Sequence, residues 1–160
     1  MKTQALILRK ARAAHCVSLK GHRHEAMMTQ AANDTDPLRL DEPMIAALVD
    51  RFYARCRADD VVGPVFNSAI DDWDEHLGKI ADFWSSVMLR SGRYHGRPMP
   101  AHLKHKDVIT PAMFDRWLEL WRQTTSELLP PAVANAMQMR AGMIAESFKL
   151  AMFYRIPEGA

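Results

Sequence analysis

From residue 44 onward, apolar side chains return every three or four positions. Met44, Leu48, Phe52 and Cys56 stand four apart, with Ile45, Val49 and Tyr53 beside them, which is the spacing of one buried stripe on an α-helix. Asp41-Glu42-Pro43 supply its start: a capping acid, an acid for the first turn and a proline near the first helical position. Asp59-Asp60 and then Gly63-Pro64 end it, and VVGPVFNSAI reads as a short corner element. A second stripe, Trp73, His76, Leu77, Ile80, Phe83, Trp84 and Val87, follows the acids Asp71, Asp72 and Glu75 and runs to about Arg90. The segment SGRYHGRPMPA, with two glycines and two prolines, is expected to be a loop, followed by a short helical turn from His102 to Lys106. Thr110-Pro111 opens a third long helix with Phe114, Trp117, Leu118, Trp121 and Leu128 on one face. Pro130-Pro131 breaks it and opens the last, whose inner face is expected to carry Val133, Met137, Ile144, Phe148, Ala151 and Met152, with Pro157 and Gly159 ending it. No alternating strand pattern, repeat or low-complexity tract is visible. The pattern predicts an all-α chain of four long amphipathic helices and short corner helices. Their aromatic inner faces could enclose a flat apolar ligand.

Composition changes this picture only at the N-terminus. At 160 residues, 48% hydrophobic and 25% charged, the chain suits one folded domain. The first 40 residues carry seven basic and three acidic side chains, and the other 120 carry fourteen basic and sixteen acidic. The positive charge therefore belongs to an arm, and the mildly acidic body gives no sign of nucleic acid binding. Residues 25–40 are small and polar, as in a linker. Residues 1–40 are read as an N-terminal extension and 41–156 as the domain. The first residues, Arg-rich and poor in acids, make a poor secretory signal. A mitochondrial transit peptide is a weaker alternative to a plain extension read from a start ahead of Met27 or Met28. No apolar run reaches membrane-spanning length. Cys16 and Cys56 form no CxxC pair, which fits a reducing cytoplasm.

Four residues stand out as candidate chemistry. Tyr53, His76 and Trp117 put polar atoms on otherwise apolar helical faces, and His102 follows the stiff segment Pro98-Met99-Pro100. Each has a plainer explanation. A histidine on an apolar face is commonly a hydrogen-bonded core residue, and buried Tyr or Trp commonly keep a wet polar tip. His102 and His105 are three apart and could share a metal, but no cysteine or acid stands near to complete a zinc site. His22 and His24 lie in the arm and read as solvated. The acids around residues 71–75 sit where a helix N-terminus favours negative charge. Phosphate-loop, dinucleotide, HExxH and GxSxG motifs are absent.

Taken in series, FYARCRADDVVGPVFNSAI, WDEHLGKIADFW, YHGRPMPAHL and FDRWLELW resemble the group III truncated hemoglobins. The likeness covers roughly residues 41–155, and the absence of any Gly-Gly pair also fits that group better than groups I and II. It implies a truncated globin fold, a two-over-two helical sandwich around a b-type heme. It implies His102 as the proximal iron ligand, Tyr53 and Trp117 as distal donors, and His76 as the distal residue that can gate entry. Phe66 would pack on the porphyrin, Ile80, Phe83 and Trp84 would line the wall, and Lys79 would meet a propionate. A neutral imidazole is the usual globin ligand, and hydroxyl or indole donors favour dioxygen, which draws negative charge when bound.

On that resemblance the expected ligands are dioxygen, nitric oxide and carbon monoxide, with binding as the main role. Conversion of nitric oxide to nitrate, or peroxidase-like chemistry, is the enzymatic alternative. It would require an external reductase, because no flavin or nicotinamide motif is present. A heme-free helical sensor or adaptor is the non-enzymatic rival, and the intact His102 and Tyr53 weigh against it.

Overall fold

A computed structural model of the chain describes residues 39–154. The reading of residues 1–38 as an extension, and the expected stop at Pro157 and Gly159, fall outside those residues. Among the described residues the secondary structure is entirely helical: α1 (Glu42–Ala58), α2 (Gly63–Ala69), α3 (Trp73–Leu89), α4 (Pro98–Leu103), α5 (Pro111–Leu128) and α6 (Pro131–Phe153). The long helices pack in two pairs, α1 with α3 and α5 with α6, and α1 also lies against α5. None is long and apolar enough to cross a membrane.

The helix starts follow from local chemistry. The Asp41 side chain accepts the Met44 N–H at 3.0 Å, and Asp72 accepts that of Glu75 at 2.9 Å, so each acid caps a donor that has no partner within its helix. Thr110 holds the N-cap position of α5 in extended backbone, but its hydroxyl makes no capping bond. The start of α5 rests instead on Pro111, whose fixed φ suits a first turn.

The segment before His102 departs from expectation. Pro98, Met99 and Pro100 are helical, and α4 ends at Leu103 rather than running on to Lys106. The two prolines occupy first-turn positions, where a missing N–H costs nothing. They start the helix instead of delaying it, and residues 104–108 form turns. Two stripe positions also differ. Leu128 is exposed and Leu129 buried, because α5 stops at Leu128 and the extended backbone of Leu129 turns that side chain inward. Ala151 is exposed as well, at the edge of the face defined by Met137, Ala141, Ala145 and Phe148.

The core centres on α1. Ile45, Leu48, Phe52 and Cys56 have no exposed surface. Phe52 meets Trp121 edge to face at 4.8 Å. Trp84 from α3 and Trp117 from α5 stack on Trp121 at 4.5 and 5.8 Å. The buried Trp121 indole donates to the Met137 carbonyl at 3.3 Å, so its polar atom is satisfied.

The corner after α1 is fixed by polar contacts. Asp59 accepts the N–H groups of Val61 and Val62 at 3.0 and 3.1 Å and the Arg116 guanidinium at 2.8 Å. Burial pushes its carboxyl up, but those donors outweigh it and hold the acid below the usual range. Gly63 lies under this corner: a Cβ there would stand 2.9 Å from the Arg57 carbonyl oxygen and 3.1 Å from that of Cys56. Both obstacles are backbone, so Gly63→Ala must push α2 away from α1. It is expected to cost about 1–3 kcal/mol, the range for forced overpacking, read as a lower midpoint in denaturant unfolding. An unchanged midpoint would show that the corner yields freely.

Candidate functional site

Among the described residues the helices surround a cavity of about 320 Å³, within the range of small-molecule sites. Its lining is mostly apolar and comes from α1 through α6, including Val62, Ile70, Ile80, Phe83, Met113, Ile144 and Phe148. Its polar atoms come from a few side chains.

His102 reaches the cavity from α4. Its Nδ1 lies 2.8 Å from the Pro98 carbonyl oxygen, one helical turn earlier. A carbonyl can only accept, so Nδ1 carries the proton and Nε2 is left with its lone pair. This partner fixes the tautomer and the ring plane, as outer contacts of ligating histidines commonly do. Phe148 of α6 packs on the ring at 4.5 Å. Burial holds the imidazole below its ordinary pKa; the Pro98 bond acts the other way, and His105 adds to the lowering. His102 is therefore a neutral imidazole at neutral pH, the form that can bind a metal.

Tyr53, His76 and Trp117 bring three more polar groups. Tyr53, on α1, is 5% exposed and meets Phe66 and His76 edge to face, each at 5.6 Å. Burial raises the phenol far above its usual range; the nearby Cys56 adds to this, and a hydrogen bond with Trp117 opposes it. Indole N–H groups only donate, so toward Trp117 the Tyr53 oxygen can act only as an acceptor. His76, on α3, has its pKa lowered by burial first, with Lys79 and His102 adding to the effect. Its Nε2 is buried with no hydrogen-bond partner among the described residues. Leaving a polar atom so costs about 1–3 kcal/mol, and such an atom in a native structure calls for an explanation.

Of the nine residues singled out in the sequence, eight line this cavity: Tyr53, Phe66, His76, Ile80, Phe83, Trp84, His102 and Trp117. Lys79 does not. It is exposed and pairs with Glu75 at 2.7 Å, one turn back on α3. The lining also includes residues the sequence did not single out for the site. Tyr94, in the segment before α4, meets Phe83 at 5.2 Å. His105 lies one turn beyond His102, and Met113, Phe114 and Phe148 come from α5 and α6. Phe114 and Phe148 were legible as inner-face residues, but no local signal says that an inner face borders a cavity.

A helical chain closed around an apolar cavity, with one oriented neutral imidazole inside and a cluster of polar groups on other helices, has the makings of a globin. The comparisons give the particular family. The chain is 33% identical over 114 residues to the group 3 truncated hemoglobin ctb of Campylobacter jejuni, covering 69% of this chain and 89% of that one. It is also similar to the crystal structure of a group III truncated hemoglobin from Campylobacter jejuni, with a TM-score of 0.66 and 32% identity over 72% of this chain and 93% of the other. No family model matches. The chain belongs to the group III truncated hemoglobins, and its all-α body has the truncated globin fold.

A globin of this family is a heme protein, and the residues present fit that group. The fixed Nδ1 tautomer of His102 leaves Nε2 with a lone pair that an iron could take. The cavity is apolar, as a porphyrin requires. The unpaired Nε2 of His76 faces a cost that a ligand or cofactor in the cavity could relieve.

Proposed function

We propose that the chain holds a b-type heme through Nε2 of His102 and takes dioxygen, nitric oxide and carbon monoxide as ligands beside Tyr53, His76 and Trp117. The carrying observation is that polar side chains from four helices line a mostly apolar cavity: His102, whose Nδ1 is tied to the Pro98 carbonyl so that Nε2 keeps its lone pair, with Tyr53, His76 and Trp117. A cavity meant only for an apolar molecule has no use for them.

Bound in this cavity, heme would supply ferrous iron able to take diatomic gases reversibly. Every other task falls to side chains. Phe66, Ile80, Phe83 and Trp84 exclude water from the macrocycle. Tyr53 and Trp117 would donate to the gas. His76 stands as the gate through which the gas enters. Lys79, exposed and paired with Glu75, would have to leave that acid to meet a propionate. We place the protein in the cytoplasm, where the buried free thiol of Cys56 would remain reduced.

The test is rapid mixing of the reduced protein with dioxygen and with carbon monoxide, followed by visible absorption. Reversible binding of both gases is expected. His76→Ala should change association rates more than dissociation rates, because a gate sits on the path and not in the bound state. Immediate oxidation by dioxygen with no reversible phase would overturn the dioxygen-binding role.

A further inference from the structure

His76 keeps its Nε2 unpaired inside the protein, although turning the ring outward would return that nitrogen to water. Its neighbours must favour the inward position. Helical side chains lean toward the N-terminus of their helix, so the His76 ring overlies the turn begun by Trp73. The two rings meet edge to face at 5.9 Å and 79°. Trp73 also reaches Tyr53 at 6.2 Å, and Tyr53 meets His76 at 5.6 Å, so three rings enclose one another where α1 meets α3. Trp73 is half-buried and does not line the cavity. From the last turn of α1, Arg57 lays its guanidinium carbon 4.5 Å from the indole centre.

We propose that Trp73 is a positioning residue that holds the His76 ring inside the cavity, and that Arg57, stacked on Trp73, sets how firmly it does so. Its effect on ligand entry rests on the gate role given to His76 above; the hold itself does not. Tyr53 and Trp73 wall the ring on two sides. Removing the Trp73 wall lets the outward rotamer, with its hydrated nitrogen, gain population. Entry of a small gas then rises with that population. Arg57 acts at one remove: it touches neither the cavity nor His76, but it holds Trp73 against them.

Two measurements on the full-length, heme-loaded chain test this. The first is proton NMR of the reduced protein under carbon monoxide, a diamagnetic sample, following the cross-peaks between the His76 and Tyr53 rings. The second is carbon monoxide recombination after flash photolysis. Trp73→Ala is expected to lose the His76–Tyr53 cross-peaks and to speed association by roughly tenfold, the factor that an aromatic pair is worth, with release barely changed. Trp73→Phe keeps a ring in place and should retain most of the wild-type behaviour. Arg57→Met should speed association about two- to fivefold, as loss of an exposed cation–π contact implies. Neither change should add anything in a His76→Ala background. Cross-peaks that persist in Trp73→Ala, or rate changes that are equal with and without His76, overturn the proposal. If His76→Ala leaves association unchanged while Trp73→Ala still loses the cross-peaks, the hold stands and the gate role of His76 falls.

Discussion

Replacing His102 by alanine is expected to strip the protein of firmly held heme. His102 is the imidazole whose other nitrogen is tied to a carbonyl, Nδ1 lying 2.8 Å from the Pro98 oxygen. It is also braced by Phe148 at 4.5 Å and kept neutral by burial. Loss of an outer contact to a metal ligand typically costs ten- to a hundredfold in affinity, so loss of the ligand itself should cost at least about a hundredfold. The measurement is the rate at which heme leaves for an excess of a heme-scavenging apoprotein. Added imidazole should slow that loss by filling the place of the missing ring. His105 also lines the cavity, so it is the alternative ligand. Normal heme content and an unchanged reduced spectrum in His102→Ala would move the ligand there, and the double variant His102→Ala/His105→Ala would then be the one that empties.

The second large effect concerns dioxygen release. Tyr53, from α1, and Trp117, from α5, both line the cavity, and each carries a donor to offer a ligand. A hydrogen bond to a group carrying charge contributes roughly 1.5–3 kcal/mol, so Tyr53→Phe should speed dioxygen release by about ten- to a hundredfold. Trp117→Phe removes the indole donor, which stands close enough to act on the Tyr53 hydroxyl. It should act partly through Tyr53, and the double variant should fall short of the product of the single effects. Carbon monoxide, less polar when bound, should respond much less to either change. Stopped-flow displacement gives the release rate of each gas from the wild type, the two single variants and the double. Dioxygen release that is insensitive to both substitutions together would mean that these donors do not face the ligand.

Much of this arrangement could be read from spacing, because amphipathic helices advertise their inner faces. The Met44-to-Cys56 stripe, the capping acids Asp41 and Asp72, and Pro111 gave the long helices and their starts. Tyr53, His76 and Trp117 were conspicuous as polar groups on apolar faces. His102 was conspicuous only for its rigid approach, and its role came from resemblance. The sequence misled where a residue's meaning depended on position within an element. Pro98 and Pro100 read as loop formers, yet at the head of α4 the same missing N–H is harmless. Leu128 and Leu129 exchanged places because one residue of helix end decides which of them turns inward. Contacts between elements distant in the chain left no local mark. Phe148 against His102 and Arg57 over Trp73 arise only when α6 meets α4 and the end of α1 meets the start of α3. The orphaned nitrogen of His76 is likewise a property of the assembled cavity, since nothing in WDEHLGKIADFW says that no acceptor or donor will stand nearby.

Whether this cavity binds heme through His102 is read by a heme titration of the purified protein followed in the Soret region. A Soret band that grows and saturates at an equimolar ratio in the wild type, and fails to do so in His102→Ala unless imidazole is added, is the predicted result. A wild-type chain that shows no saturable Soret band, or a His102→Ala chain that titrates like the wild type without imidazole, would contradict it.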